Sequence, residues 1–199
     1  MYQLQNESSC MKRVFDILLS IVCLIVFSPL LLVCCLSIKV GGGPAIYVQE
    51  RIGLHGRPFD IYKFRSMIVG AEKDGEALYQ HERDTRMTRV GKFLREHHLD
   101  ELPQLWNVLK GDMSFVGYRP ERPFYIKQIM EKDARYELLY QTRPGITSMA
   151  TLYNGYTDTM EKMLKRLEMD LYYLEHRSLL LDFKILGLTF LKIVFGKVF

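Results

Sequence analysis

Cysteine is scarce in this sequence, and none occurs after residue 35. The four cysteines, Cys10, Cys23, Cys34 and Cys35, do not have the spacing of a zinc site. Because the later chain contains no cysteine that could pair with them, we expect free thiols rather than a disulfide framework. The sequence also lacks internal repeats, low-complexity tracts and the glycine-rich loops of Rossmann and P-loop proteins, so those nucleotide-binding folds are not indicated.

A large excess of charge of one sign is also missing. The chain has 27 Lys and Arg residues against 23 Asp and Glu residues, which gives a formal net charge of +4 over 199 residues. This small excess indicates no particular partner. Basic residues alternate with aromatic ones between Arg51 and Arg95, but acidic residues are mixed among them, so nucleic-acid binding is not favoured.

One long apolar run lies near the N-terminus. Residues 14–38 contain a single charged residue, Asp16, and basic residues flank the run at both ends. As one helix it would be about 37 Å long, enough to cross a hydrocarbon core of roughly 30 Å. Ser28-Pro29 falls near its middle, however, and either half alone would reach only about 20 Å. From composition alone, a kinked span and a helix-break-helix that enters one leaflet are equal alternatives.

The remaining chain predicts a small, mostly helical domain. Residues 45–48 and 59–64 read as two short strands that could pair as a hairpin, and residues 74–86 as a loop or frayed helix. Apolar periodicity predicts four further helices, at 89–95, 102–109, 124–140 and 160–176. The apolar segment 179–199 carries interspersed lysines, which favours an amphipathic helix in the headgroup region over a core helix that closes the domain.

An adjacent pair of carboxylates, Asp100-Glu101, stands where the helix at 102–109 should begin. Pro103 suits a first helical turn, and Gly111 suits a helix stop. The unpaired N–H groups and the dipole of a helix N-terminus favour ionised carboxylates and also attract phosphate. The alternative is an ordinary helix start, because Asp is a favoured N-cap and Glu is common in a first turn. Spacing alone favours that alternative.

The neighbouring His97-His98 suggests a metal site with this pair. Adjacent residues do not share a helix face, however, and no third histidine is near in sequence, so a solvated helix end is the preferred interpretation.

Residues 99–117 resemble the signature of a family of bacterial sugar transferases, the small monotopic phosphoglycosyl transferases. Five further segments match in family order: 49–53 (QERIG), 62–67 (YKFRSM), 119–123 (RPERP), 143–147 (RPGIT) and 170–175 (DLYYLE). The resemblance covers nearly the whole chain from Lys12 onwards. Tyr118 departs from it, because the family usually has proline there. Residues 152–156 also depart from the better-known members, which leaves the identity of the donor sugar open.

The resemblance implies an α+β, mostly helical fold with three parts. Residues 1–13 would be a polar N-terminal segment. Residues 14–40 would form a re-entrant membrane helix broken at Ser28-Pro29. Residues 41–199 would form a catalytic domain with a small β-hairpin and amphipathic interfacial helices, including the C-terminal one. The expected location is the cytoplasmic face of the bacterial inner membrane.

The implied reaction moves a sugar-1-phosphate from a UDP-sugar to undecaprenyl phosphate or another polyprenyl phosphate, and it releases UMP. It would initiate the assembly of exopolysaccharide, capsule, O-antigen or a glycoprotein glycan. Asp100 would be the nucleophile that forms a covalent phosphosugar intermediate, Glu101 would assist, and both could ligate Mg²⁺. The alternatives are a glycosyltransferase that releases UDP, a phosphatase that uses the same Asp, and a membrane-tethered scaffold without activity.

Five basic residues are candidates for binding substrate phosphate: Lys63, Arg65, Arg95, Arg119 and Arg143. Arg119 is the clearest candidate, since a guanidinium grips phosphate with two hydrogen bonds. The expected partners are the UDP-sugar, the polyprenyl phosphate and membrane lipids, and a homodimer with a second copy of the chain is a further candidate. Nucleic acid is not expected.

Overall fold

The fold is taken from a computed structural model that describes residues 2–71, 85–155, 157 and 159–195. Most of the loop predicted at 74–86 lies outside these residues. Within them the chain is mostly helical, with one antiparallel hairpin and one short parallel strand pair. The predicted balance of helix and strand is therefore confirmed.

The N-terminal part consists of two helices, α1 (Tyr2–Val26) and α2 (Ser28–Val40). The segments Cys10–Val26 and Ser28–Val40 meet at an angle of 62°. Pro29 has no N–H to donate to the carbonyl of Ile25 one turn earlier, and the hydroxyl of Ser28 donates to that carbonyl instead, at 2.7 Å. The Ser-Pro pair therefore bends the chain without leaving this carbonyl unpaired. In the described residues no single helix is long and apolar enough to cross a membrane, whereas the bent pair together passes that test.

The hairpin is formed by β1 (Ile46–Ile52) and β2 (Pro58–Phe64). The strands are antiparallel, with Ile46 opposite Phe64 and Ile52 opposite Pro58. Ile61 and Phe64 are both buried. They are three residues apart and so lie on opposite faces of β2, where they join two different core clusters. The hairpin prediction is confirmed, although β1 continues four residues beyond the predicted strand.

Helix α3 (Arg89–Glu96) and helix α4 (Gln104–Lys110) flank a 3₁₀ turn, Leu99–Glu101. Gly111 ends α4 with a φ of 99°, as predicted. The N-cap of α4 is Pro103, which makes no side-chain capping bond. Asp100 and Glu101 lie in the preceding 3₁₀ turn, so Asp100 is not the N-cap of α4 that the helix-start interpretation assumed.

The predicted helix at 124–140 is divided in two. Helix α5 (Pro123–Lys132) ends at Asp133, and a 3₁₀ helix, Ala134–Gln141, follows. Asp133 has an extended backbone, and its carboxylate accepts a hydrogen bond from the N–H of Arg135. This local side-chain bond competes with the helical one and interrupts the periodic pattern.

Strands β3 (Ser114–Val116) and β4 (Gly145–Thr147) pair in parallel. Their ends approach so closely that a Cβ on Gly145 would lie 2.1 Å from the backbone nitrogen of Gly117. Only glycine fits at this contact, which gives the Pro-Gly turn before β4 a structural role. Helix α6 (Met149–Tyr153) follows directly.

The last two helices are α7 (Met160–His176) and α8 (Leu179–Val194). Ile185 of α8 is buried in a core cluster with residues such as Val108 and Val116, while Leu180, Phe183 and other apolar side chains of α8 are exposed. One face of the C-terminal helix therefore packs in the core, as the core-helix alternative predicts, and the other face is apolar and exposed.

Both ends of the bent helix pair contact the rest of the domain. At the base of α1, Lys12 pairs with Asp182 of α8 at 2.6 Å, and Arg13 donates to the carbonyls of Val108 and Leu109 in α4 at 2.6 and 3.0 Å. The far half of α2 is buried with Ala45, Phe64 and Leu94, in the cluster that contains Cys34 and Ile38. The bend between these two contacts carries exposed apolar side chains, including Val26 and Phe27.

Candidate active site

The carboxylate pair is placed by an abrupt reversal after α3. The hydroxyl of Thr88 caps the start of this helix at the N–H of Gly91. At its end His98 adopts the left-handed conformation, with φ 54°, which turns the chain into the 3₁₀ turn that holds the pair. His97 lies near the surface with its Nδ1 against the carbonyl of Phe93. His97 thus matches the preferred interpretation of a solvated helix end.

Glu101 is held by two cations. Its Oε1 accepts a hydrogen bond from Lys63 Nζ at 2.7 Å and lies 3.4 Å from Arg119 Nη2. Burial alone would raise the pKa of Glu101, but the nearby charges of Lys63 and Arg119 outweigh it and hold the pKa well below its usual range. Glu101 is therefore ionised across the physiological pH range.

Asp100 lies in a different environment. Its side chain is buried, with 7% of the residue exposed, and no described residue forms a hydrogen bond or ion pair with its carboxylate. Burial and the adjacent charge of Glu101 raise the pKa of Asp100, while Lys63, Arg95 and His98 oppose that shift. The ionisation of Glu101 is therefore due to Lys63 and Arg119 rather than to the local backbone, and the expected ionised state is not favoured for Asp100.

The pair lines a cavity of about 1010 Å³, here called the central cavity. Its polar end contains the pair and a group of basic side chains that includes Lys63, Arg95 and Arg119. Its apolar end lies between the bend of the N-terminal helices and α8. The side chains that line the apolar end include Phe27, Leu30, Ile146, Leu186, Phe190 and Ile193. One continuous space thus connects buried carboxylates to an apolar groove.

Four of the five predicted phosphate-binding residues line this cavity: Lys63, Arg65, Arg95 and Arg119. Arg65 is notable because Nε and Nη1 of its guanidinium are buried without a hydrogen-bond partner among the described residues. Such unpaired donors favour an anionic ligand nearby.

Arg143 does not belong to this group. Within the described residues it is absent from the cavity wall, and its Nε donates to the carbonyl of Gly111 at 2.8 Å, just beyond the end of α4. The geometry therefore gives no support to the predicted phosphate-binding role of Arg143.

Sequence reasoning assigned no role to three charged residues at the polar end, Arg51, Glu121 and Arg166. Glu121 forms ion pairs with both arginines, and Asp170 is buried next to Arg166. A sequence pattern on α7 could have indicated two of these buried charged residues. Arg166 and Asp170 are four residues apart, on the helix face that buries Met163 and Leu167. Asp170 therefore lies on the buried face of α7 and not on its solvated face.

The described residues contain no group of three or more His, Cys, Asp or Glu side chains that could enclose a metal. Asp100 and Glu101 nevertheless fit Mg²⁺, which is usually bound by one or two carboxylates together with substrate phosphates. Both oxygens of Asp100 are unpaired in the described part of the chain, and the ion pairs of Glu101 use only Oε1. Oxygen ligands thus remain on both side chains.

Comparison with known proteins gives consistent matches. Residues 7–196 match the family model described as bacterial sugar transferase. The chain is 45% identical over 184 residues to a UDP-glucose:undecaprenyl-phosphate glucose-1-phosphate transferase of Klebsiella pneumoniae, covering 91% of this chain and 39% of the relative. It is 40% identical over 186 residues to a UDP-N-acetylgalactosamine-undecaprenyl-phosphate N-acetylgalactosaminephosphotransferase of Aeromonas hydrophila, covering 93% of this chain and 44% of the relative.

A relative of more similar length is the sugar transferase EpsL of Bacillus subtilis, which is described as uncharacterized. It is 38% identical over 186 residues, and the match covers 92% of this chain and 87% of the relative. The chain thus spans about two fifths of the length of the first two relatives and most of the third.

Proposed function

The chain belongs to the bacterial sugar transferase family, and on this premise we propose that it is a phosphoglycosyl transferase. It moves a sugar-1-phosphate from a UDP-sugar to undecaprenyl phosphate or a similar polyprenyl phosphate, releases UMP and thereby initiates the assembly of a polysaccharide or glycan. The central cavity carries this proposal, because it joins a buried carboxylate among basic side chains to an apolar end. A nucleotide sugar and a lipid-linked phosphate are the ligands that match these two ends.

The first step uses Asp100 as the nucleophile. A carboxylate oxygen of Asp100 attacks the β-phosphorus of the donor. The bond from that phosphorus to the bridging oxygen breaks, and UMP leaves with the electron pair. In the second step, a phosphate oxygen of the acceptor attacks the phosphorus of the enzyme-bound phosphosugar. This forms the lipid diphosphosugar and releases the Asp100 carboxylate, so the kinetics are ping-pong.

The surrounding charges make attack by one anion on another feasible. Lys63 and Arg119 lie on the same side of the pair, where they neutralise Glu101 and offer further N–H donors to phosphate oxygens. Asp100 has no ion-pair partner among the described residues, so no cation of the described chain binds its oxygens. Glu101 keeps both cations beside the reacting carboxylate.

We also propose Mg²⁺ as the cofactor, held by Asp100 and Glu101 together with the donor diphosphate. When bound, it supplies Lewis-acid charge neutralisation at the phosphates. The oxygen donors that remain on the pair support this assignment.

The apolar end of the cavity suits the hydrocarbon part of the acceptor. Its lining includes Phe27, at the bend of the N-terminal helices, and Phe190 of α8, both of which also have exposed surface. Burial of prenyl groups there is favourable because it removes apolar surface from water. The phosphate of the acceptor then faces the carboxylate pair at the other end.

We propose that residues 14–40 enter the bilayer as a re-entrant pair and leave residues 41–199 on one face as the catalytic domain. The base of α1 and the far half of α2 both contact that domain, which a straight span would prevent. Basic residues flank both ends of the pair, which supports a location of both ends in the cytoplasm of a bacterium, with the protein at its inner membrane. The exposed apolar face of α8 would lie in the headgroup region.

The test uses the full chain in nanodiscs with Mg²⁺, undecaprenyl phosphate and a panel of UDP-sugars, with UMP and UDP measured separately. We expect acceptor-dependent UMP release that is lost in Asp100→Asn. The matched control is Asp60→Asn, because Asp60 is exposed on β2. Release of UDP would instead indicate a glycosyltransferase, and activity that survives Asp100→Asn would reject Asp100 as the nucleophile.

The covalent step has its own measurement. With donor but no acceptor, wild-type protein should release up to one UMP per active site and retain the phosphosugar, which intact-protein mass spectrometry detects. If the protein keeps its unmodified mass after this incubation, the covalent intermediate is contradicted, but the overall reaction class is not affected.

A further inference from the structure

The loop that carries Arg119 connects β3 to α5 and comprises residues 117–122. Its first half is fixed by the strand pair, because Gly117 N donates to the carbonyl of Thr147 at 3.1 Å and Gly145 N donates to the carbonyl of Tyr118 at 2.8 Å. The side chain of Tyr118 is buried, with 1% exposed. These contacts fix the chain up to the residue before Arg119.

The second half of the loop is held by side chains from two other elements. Glu121 forms an ion pair with Nη1 of Arg166 from α7 and lies 3.8 Å from Nη1 of Arg51 from β1. The same Arg51 nitrogen donates to the carbonyl of Pro120 at 3.1 Å. The three charged side chains are largely buried, with exposed fractions of 14% for Arg51, 12% for Glu121 and 10% for Arg166.

Arg119 is therefore anchored on both sides. The residue before it, Tyr118, is held by the N–H of Gly145, and the following two residues are held by Arg51 and Arg166. The guanidinium of Arg119 then extends to Glu101. We propose that Glu121 is a positioning residue for the reaction: clamped between Arg51 and Arg166, it fixes the 117–122 loop so that Arg119 stays on Glu101 and faces the phosphates.

The charge balance of the cluster supports this role. Arg51, Arg119 and Arg166 lie close enough that each affects the ionisation of a neighbour, and Glu121 is the carboxylate that the two outer arginines share. Without its charge, neighbouring guanidiniums would repel one another in a poorly solvated place. The movable member is Arg119, because its side chain is 36% exposed and its contact with Glu101 is long, at 3.4 Å.

The inference rests on the proposed phosphoglycosyl transfer, and a double-mutant cycle tests it. Glu121→Gln is made in the wild type and in an Arg119→Gln background, and kcat/KM for the donor is normalised to active sites by the UMP burst. We expect Glu121→Gln alone to lower kcat/KM by about tenfold or more, since misplacing a positioned group costs rate. In the Arg119→Gln background, Glu121→Gln should lower kcat/KM by less than about twofold. A residue that acts through Arg119 has nothing left to position in that background.

Glu131→Gln is the matched control, because Glu131 is an exposed carboxylate on α5. It should leave kcat/KM unchanged in both backgrounds. If Glu121→Gln does not fold, Arg166→Lys replaces it in the same cycle, because the lysine keeps a cation beside Glu121 but loses the guanidinium geometry.

The outcomes separate the possible failures. Equal losses in both backgrounds would overturn the inference, because Glu121 would then contact substrate itself or act only on the fold. An absence of UMP release by the wild-type protein would instead reject the proposed reaction. If the wild type is active and the effects of the two substitutions on kcat/KM are strongly non-additive, the result would support both the positioning role of Glu121 and the proposed reaction.

Discussion

At the scale of single residues, two adjacent carboxylates acquire different properties from their neighbours. Glu101 is bound by Lys63 and Arg119, whereas Asp100 is buried without a protein partner in the described part of the chain. Ionisation of Asp100 therefore depends on charges that are not bonded to it, and the proposed Mg²⁺ would add one more. This difference suits a division of roles in which Asp100 reacts and Glu101 organises the cations.

Asp170 provides a pH-dependent test at the same scale. Burial raises its pKa to about 8, against roughly 4 in an unfolded chain. The folded state therefore retains a proton that the unfolded state releases. The stabilisation from this proton is complete below about pH 4, and it is lost as the pH rises towards 8, by on the order of 1 kcal/mol per pH unit.

We expect Asp170→Asn to reduce this loss of stability between pH 5 and pH 8, because Asn does not ionise. Urea unfolding of the protein in detergent at several pH values measures the difference. Glu175→Gln is the control, since Glu175 is exposed on the same helix. Parallel stability curves for the wild type and Asp170→Asn would contradict the raised pKa.

The sequence predicted the chemistry of the pair better than its environment. Asp100, Glu101, Lys63 and Arg119 were identified from motifs, and the structure brings them together. The Glu121 ion pairs were not predicted, because they join β1, the 117–122 loop and α7, and no short-range spacing encodes such contacts. For Arg143 the motif predicted a role that the structure does not support. The motif indicated phosphate binding, but the guanidinium lies at the C-terminal end of α4.

At the scale of elements, α4 has arginines at its C-terminal end. Arg13 donates to the carbonyls of Val108 and Leu109, and Arg143 donates to that of Gly111. Cations there satisfy carbonyls that have no helical partner and interact favourably with the helix dipole. The helix that follows the carboxylate pair is thus fixed to α1 and to the turn before β4.

Arg143→Gln should therefore reduce stability rather than substrate binding. We expect a loss of about 1 kcal/mol in the free energy of unfolding. The KM for the UDP-sugar should stay within about twofold of the wild-type value, a limit that allows for the spread of measured single-residue effects. Arg57→Gln is the control, because Arg57 is exposed in the hairpin turn. A large rise in KM at unchanged stability would restore the phosphate-binding role predicted from the motif.

At the scale of the whole molecule, the bent helix pair and the globular part form one unit. The sequence left a straight span and a re-entrant pair as equal alternatives, because hydropathy and flanking charge do not report which surfaces meet. The distinguishing contacts are long-range: Lys12 with Asp182 at one end, and Ile38 with Phe64 and Leu94 at the other. They connect both ends of the pair to the same body.

This arrangement predicts that Cys10 and the catalytic domain lie on the same side of the membrane. Cys10 is exposed and stands two residues before Lys12. In a variant whose other three cysteines are replaced by alanine, a membrane-impermeant maleimide should label Cys10 in inverted vesicles but not in intact spheroplasts. A second variant that carries only Glu131→Cys reports the side of the catalytic domain, and it should show the same pattern.

A third variant, with Phe27→Cys as its single cysteine, places the probe at the bend. Because the bend carries exposed apolar side chains and would lie within the bilayer, this position should be unlabelled from either side until detergent is added. A straight span makes a different prediction, since Cys10 would then label from the side opposite Glu131→Cys. Labelling of Cys10 and of Glu131→Cys from opposite faces would therefore reject the re-entrant arrangement. In that case α1 and α2 could not both keep their contacts with the domain in the membrane.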